Sequence, residues 1–119
     1  MSAIETITIT IGVKNAQKAA EWYQSLLGNV AQFDPGIGAI ELKVTDSTWL
    51  QLDESGDAQA HGDGMTVRFS THDISAAHQA VSRLSQEVDP IETIEGVASF
   101  FDFKDPDGNR LSYVQILEA

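Results

Sequence analysis

The sequence contains no cysteine. A disulfide framework, a zinc–thiolate site and a cysteine nucleophile are thereby excluded. The absence fits a reducing compartment, and a cytoplasmic location is expected. Basic residues are scarce: 7 Lys and Arg stand against 18 Asp and Glu, a formal charge of −11. A chain this acidic repels phosphate backbones, so no nucleic-acid partner is expected. The same charge favours solubility and would attract a cationic guest. Long apolar runs are missing. No segment approaches the roughly 18 residues of a membrane helix, and the opening MSAIETITIT has neither the basic nor the apolar region of a secretory leader. No membrane partner is expected. The GxSxG, HExxH, GxGxxG and P-loop patterns are also absent.

What is present describes a globular α+β chain. Its 119 residues suit one domain, and a hydrophobic content of 42% supplies a core without staples. Residues 4–13 alternate strictly, with Ile7, Ile9 and Ile11 on one side and Thr6, Thr8 and Thr10 on the other. That is a β-strand with one apolar face. Asn15 suits an N-cap, and residues 16–27 carry Ala16, Ala19, Ala20, Tyr23, Leu26 and Leu27 at helical spacing, with Gly28 placed to close the helix. A short strand over 30–34 and a hairpin of 38–44 with 48–53 follow. Residues 54–64, rich in Gly, Asp and small polar side chains, read as a linker.

The order then returns. Residues 65–71 alternate, Asp73 caps a helix over 74–85, and strands are expected over 87–93, 98–104 and 110–117, the last two joined by Asp105–Pro106–Asp107–Gly108–Asn109. Asn15 and Asp73 are 58 residues apart; Trp49–Leu52 and Arg110–Tyr113 are 61 apart. The chain therefore reads as one βαβββ unit used twice, with module one at 1–54, a linker at 55–63 and module two at 64–119 of a single domain.

Two βαβββ units, the DPDGN turn before the last strand, and a first helix with Trp22–Tyr23 followed by Leu27–Gly28 resemble the vicinal oxygen chelate superfamily. That superfamily includes glyoxalase I, bleomycin-resistance proteins, fosfomycin-resistance enzymes and extradiol dioxygenases. The resemblance covers nearly the whole chain. It implies two modules forming an incomplete barrel, or cup, with helices outside and the ligand or metal inside. It also implies a homodimer, some members completing their sites across it.

Strand alternation tests the cup from the residues themselves. Apolar faces should meet the helices, which assigns Ile7, Ile9, Ile11, Leu50, Leu52, Met65, Val67, Phe69, Phe101, Phe103, Leu111 and Tyr113 to the helix side. The opposite faces carry Thr6, Thr8, Thr10, Trp49, Gln51, Asp53, Thr66, Arg68, Ser70, Phe100, Asp102, Arg110, Ser112 and Val114. A sealed core is not lined this way, because each unpaired buried polar group costs roughly 1–3 kcal/mol. The polar face is therefore wet, filled by ligand or covered by a partner. Thr8, Trp49, Gln51, Thr66, Arg68, Phe100, Asp102, Arg110 and Ser112 are the candidate ligand-binding residues. Arg68 and Arg110 have the fork that matches a carboxylate, and Trp49 either stacks on a planar ligand or fills space.

Metal-dependent members of the superfamily ligate from four strands with His, Glu, Gln or Tyr. The matching positions here are Thr8, Gln51, Thr66 and Ser112, of which only Gln51 offers a plausible ligand, so neither metal nor other cofactor is expected. The histidines, His61, His72 and His78, fall in the linker, before a cap and on the second helix; they read as surface residues, with His61 reaching a partner's cup as the alternative. Glu41, Asp53 and Asp102 are conceivable bases, but beside Arg68 or Arg110 an internal ion pair is the plainer expectation. Three functions remain: a metal-free binding protein that holds a small organic molecule, sequestering it as bleomycin-resistance proteins do; an enzyme of lyase, isomerase or dioxygenase type with an atypical or absent metal site; and an interaction module. Binding is the reading taken first.

Overall fold

The computed structural model describes Ile4, residues 6–55 and residues 66–117. The expectations for Met65 and His61, and for most of the linker, lie outside the described residues. The chain divides into two compact units, Met1–Ala60 and His61–Ala119, each a helix against a four-stranded mixed sheet.

In the first unit β1 (Ile7–Gly12), α1 (Ala16–Leu27), β2 (Ala31–Phe33), β3 (Ala39–Thr45) and β4 (Thr48–Asp53) form a sheet of order β1-β4-β3-β2. β1 runs parallel to β4, so Thr8 lies beside Trp49 and Thr10 beside Gln51. Asn15 is extended and accepts the Lys18 N–H at 2.9 Å; Gly28 closes α1 with a φ of 84°, which a Cβ would disfavour. The alanines of α1 let its backbone approach the sheet. Ala16, Ala19, Ala20 and Tyr23 are buried with Ile11, Ile40, Leu42, Leu50 and Leu52. Burying each of these leucines contributes about 1.5–3 kcal/mol.

The second unit repeats the first: β5 (Val67–Ser70), α2 (Ile74–Ser82), β6 (Glu92–Ile94), β7 (Ala98–Lys104) and β8 (Arg110–Ile116), in the order β5-β8-β7-β6. The repeat extends to single hydrogen bonds. Asp73 accepts from Ala76 N–H as Asn15 does from Lys18. Val13 N–H donates to the Asp53 carbonyl and Thr71 N–H to that of Val114. The first N–H of each helix is met by a side chain just beyond the central strand or at its end, Ala16 by Glu54 Oε2 at 2.6 Å and Ile74 by Gln115 Oε1 at 3.0 Å. These bonds satisfy donors that a helix start leaves open.

Several boundaries move from expectation, β1 among them, which runs from Ile7 to Gly12 rather than over 4–13. α2 stops at Ser82 rather than 85: no glycine follows, Arg83 and Leu84 N–H reach only three residues back, and the Ser85 hydroxyl donates to the Lys104 carbonyl. The expected strand over 87–93 becomes an isolated bridge, Val88 to Phe103, and then β6, because Pro90 between them has no N–H for a ladder. β5 is shorter than 65–71, running from Val67 to Ser70. The Asp105–Asn109 turn satisfies itself. Asp105 Oδ1 accepts the Asp107 and Asn109 N–H groups, and Oδ2 accepts the Asn109 amide at 2.8 Å. Asp105 and Asn109 are buried by this arrangement, so the motif that carries the resemblance is occupied with its own structure.

Candidate functional site

The side of each sheet away from its helix carries the polar set, as the alternation requires. In the first unit Thr8 and Thr10 of β1 are exposed and Trp49, Gln51 and Asp53 of β4 are half-buried. Thr10 Oγ1 donates to Gln51 Oε1 at 2.9 Å. Glu41 of β3 is the neighbour of Gln51, and Lys43 that of Trp49, its Nζ 6.0 Å from the indole centroid. Trp49 thus already has a cation over its ring. Asp53 accepts the Ser55 N–H at 2.8 Å, and that bond, with one from the Ser55 hydroxyl, holds its carboxyl below the usual range. It stays ionised at neutral pH and is a poor general base.

In the second unit Arg68 (β5), Ser112 (β8) and Asp102 (β7) lie side by side on three adjacent strands. Phe100 of β7 is half-buried beside Val114, Thr66 is exposed just before β5, and Arg110 is exposed at the start of β8 beside Lys104. Ser112 departs from expectation. It is 0% exposed, its hydroxyl donating to the Phe101 carbonyl at 3.1 Å and accepting from Arg68 Nε at 3.3 Å. The packed neighbouring strands, rather than solvent, satisfy it. A cavity of about 450 Å³ opens on this unit, lined by Glu87, Asp89, Asp102, Phe103, Lys104 and Arg110. Asp102 and Arg110 were legible from sequence as candidates. Glu87, Asp89 and Lys104 were not, although Glu87 and Asp89 flank Val88 and strand alternation puts the two acids on one side of that segment.

The expected internal ion pair does not form. Among the described residues the one salt bridge joins Lys104 to Glu87 at 3.4 Å, and Asp102 Oδ1 is buried with no hydrogen-bond partner. His78, expected as a surface residue, is instead half-buried. Its Nε2 lies 2.9 Å from the Asp89 carbonyl and its ring stands edge-on to Phe101. Val88 and Asp89 are thereby tied to both α2 and β7.

A family model for the Glyoxalase/Bleomycin resistance protein/Dioxygenase superfamily matches residues 6–113. The chain belongs to this superfamily. Solved structures agree in fold. A glyoxalase/bleomycin resistance protein from Catenulispora acidiphila DSM 44928 superposes with a TM-score of 0.73 at 21% identity, covering 93% of this chain and 97% of that one. A lactoylglutathione lyase from Agrobacterium tumefaciens gives 0.73 at 17% identity, with 97% and 94% covered. TioX from Micromonospora sp. ML1 gives 0.73 at 11%, with 94% and 98% covered. A search of curated proteins returned no match.

The positions that the resemblance pairs with metal ligands, Thr8, Gln51, Thr66 and Ser112, do not suit a divalent ion. Gln51 Oε1 and Ser112 Oγ are already hydrogen-bonded, and Thr8 and Thr66 offer neutral hydroxyls. Among the described residues no group of three or more His, Asp or Glu could hold a metal ion. Borderline metals require imidazole, carboxylate or thiolate. This superfamily member therefore lacks the donor set for metal-assisted proton transfer at those positions.

Proposed function

We propose that this superfamily member binds a small organic molecule on the polar faces of its sheets and holds it without chemical conversion, a sequestering role. The observation that carries the reading is the lining of the second unit's cavity. About 450 Å³ of space is lined by the charged residues Glu87, Asp89, Asp102, Lys104 and Arg110 and by Phe103, whose ring is itself buried against Phe101 and Tyr113, within the size range of small-molecule sites. Each face is taken by itself: Thr8, Trp49 and Gln51 are the candidate contacts on the first unit, and Thr66, Arg68, Phe100, Asp102, Arg110 and Ser112 those on the second. Arg68 is oriented by Ser112, which supports a positioned rather than a wandering guanidinium. The absence of cysteine supports a cytoplasmic setting.

The same reading takes the chain as a homodimer. Phe33 and Ile94, 55% and 52% exposed on the short end strands β2 and β6, offer apolar surface that a second copy would cover. Sedimentation of the purified chain at micromolar concentration decides it, a monomer mass rejecting the dimer.

Thermal-shift screening of a small-molecule library tests the binding role. A true guest raises the melting temperature of the native chain, since it binds the folded state alone, and its effect shrinks in Trp49→Ala where it lies on the first unit's face or in Arg68→Ala where it lies on the second's. Responses unchanged in both variants would reject these faces as the site.

A further inference from the structure

The cavity of the second unit leaves charges of both signs unanswered. Of its five charged residues, Lys104 and Glu87 pair with each other at the rim. Asp89, Asp102 and Arg110 form no ion pair, with each other or with any described residue. The two carboxylate-bearing segments are locked together: Asp89 N–H donates to the Asp102 carbonyl at 2.9 Å, while His78 holds the Asp89 carbonyl from the helix side. The two backbones are thus fixed side by side, and both residues line the cavity. One oxygen of Asp102 is closed to solvent without a donor, a costly condition for a charged group. The torsion that turns a carboxylate about its Cβ–Cγ bond is soft, so a donor entering the cavity can be met by either oxygen. Arg110, exposed at the start of β8 and without an ion pair, also lines the cavity, and its guanidinium fork fits a carboxylate.

We propose, resting on the small-molecule reading above, that this cavity receives a small zwitterion of the amino-acid or short-peptide class, its ammonium between Asp89 and Asp102 and its carboxylate on Arg110. The unpaired charges decide between this and a simple cation. A cation would answer the acids and leave Arg110 without a counter-charge, whereas a zwitterion answers both. The volume is enough for an amino acid with a large side chain or for a dipeptide.

Calorimetric titration of the full chain at low salt, with free amino acids and dipeptides, tests the proposal. The best binder is then repeated as its amide, which keeps only the cation, and as its N-acetyl derivative, which keeps only the anion. Each modified form is expected to bind about tenfold more weakly or worse, the loss of one charge-assisted contact. Asp102→Asn should erase the preference for the free amine, and Arg110→Gln the preference for the free carboxylate. Asp102→Asn should also leave the ligand-free chain at least as stable as the native one, because it removes the charge from a half-buried carboxyl with one oxygen closed to solvent and without a donor; this measurement separates loss of binding from loss of folding. An amide that binds as tightly as the zwitterion, or an N-acetyl form that does, overturns the proposal, as does the absence of binding by every amino acid and dipeptide. If other library compounds still bind through Trp49 or through Arg68, the zwitterion alone is rejected; if nothing of any class binds, the small-molecule reading falls with it.

Discussion

Ser112 shows how a hydroxyl on a polar sheet face comes to be buried. Its Oγ lies between the Phe101 carbonyl and Arg68 Nε, so its hydrogen-bonding capacity is used within the sheet. Removing the hydroxyl with Ser112→Ala should cost about 0.5–1.5 kcal/mol in urea unfolding, the net value of such a bond, and should free the Arg68 side chain. A variant as stable as the native chain would mean that the hydroxyl is not engaged. Tyr113, on the other face of the same strand, packs against Phe69, Phe101 and Phe103, and burial pushes its phenol up from the ordinary value. The folded chain holds that proton more tightly than the unfolded one. The resulting stability is fully present below the unfolded value of about 10 and is lost as pH rises through the higher folded value. Tyr113→Phe should therefore flatten the alkaline fall of melting temperature while leaving the shape of the curve below pH 9 unchanged. Parallel alkaline falls in the two proteins would reject this. At this scale the sequence was a good guide to which side a residue faces, because strand period two fixes it. It was a poor guide to partners. Arg68 and Arg110 invited ion pairs with Asp102, and none forms, because pairing depends on side-chain reach across strands and not on alternation.

Elements were legible where local chemistry terminates them and displaced where tertiary contacts do. α1 runs from its asparagine cap to its glycine as expected, each end fixed by a residue with one strong conformational preference. α2 and the strand after it end a few residues from where the sequence places them, because Ser85 bonds to β7 and Pro90 splits the ladder, facts that follow from what lies alongside. The two helices also share a device that periodicity does not reveal: a side chain from the end of the central strand, Glu54 or Gln115, accepts the first helical N–H. Glu54→Ala and Gln115→Ala should each cost about 1 kcal/mol, the usual value of a cap, and the losses should add in the double variant because each bond lies within its own unit. Gly38 is coupled to the first of these. Its φ is 81°, and a Cβ there would meet Glu54 Cγ at 3.3 Å. Gly38→Ala should then cost more than Gly28→Ala, whose added Cβ meets nothing within 4 Å and whose penalty is left-handed backbone alone, about 1 kcal/mol. Equal losses in chemical denaturation would show that Glu54 yields without effect.

The whole molecule is governed by an excess of negative charge that its contacts do little to offset. The formal charge is −11, and the one salt bridge among the described residues is a rim pair with both partners well exposed, of a kind that contributes little. The fold is therefore held by apolar burial and by backbone and capping hydrogen bonds, with self-repulsion acting against it. Salt separates these contributions. Raising sodium chloride from about 10 mM to several hundred millimolar shortens the Debye length from roughly 30 Å to a few ångströms, which weakens long-range repulsion and leaves burial intact. The melting temperature should rise over that range and then level off, and lysine substitutions at exposed acidic positions away from the cavity, Glu21→Lys for instance, should raise it at low salt and lose their effect at high salt. A melting temperature that falls with added salt would place attractive ion pairs, rather than repulsion, in control of stability. The cavity's own charges should respond in the opposite sense. A zwitterion held by Asp89, Asp102 and Arg110 would bind more weakly as salt rises, so the same titration that stabilises the chain should release its guest.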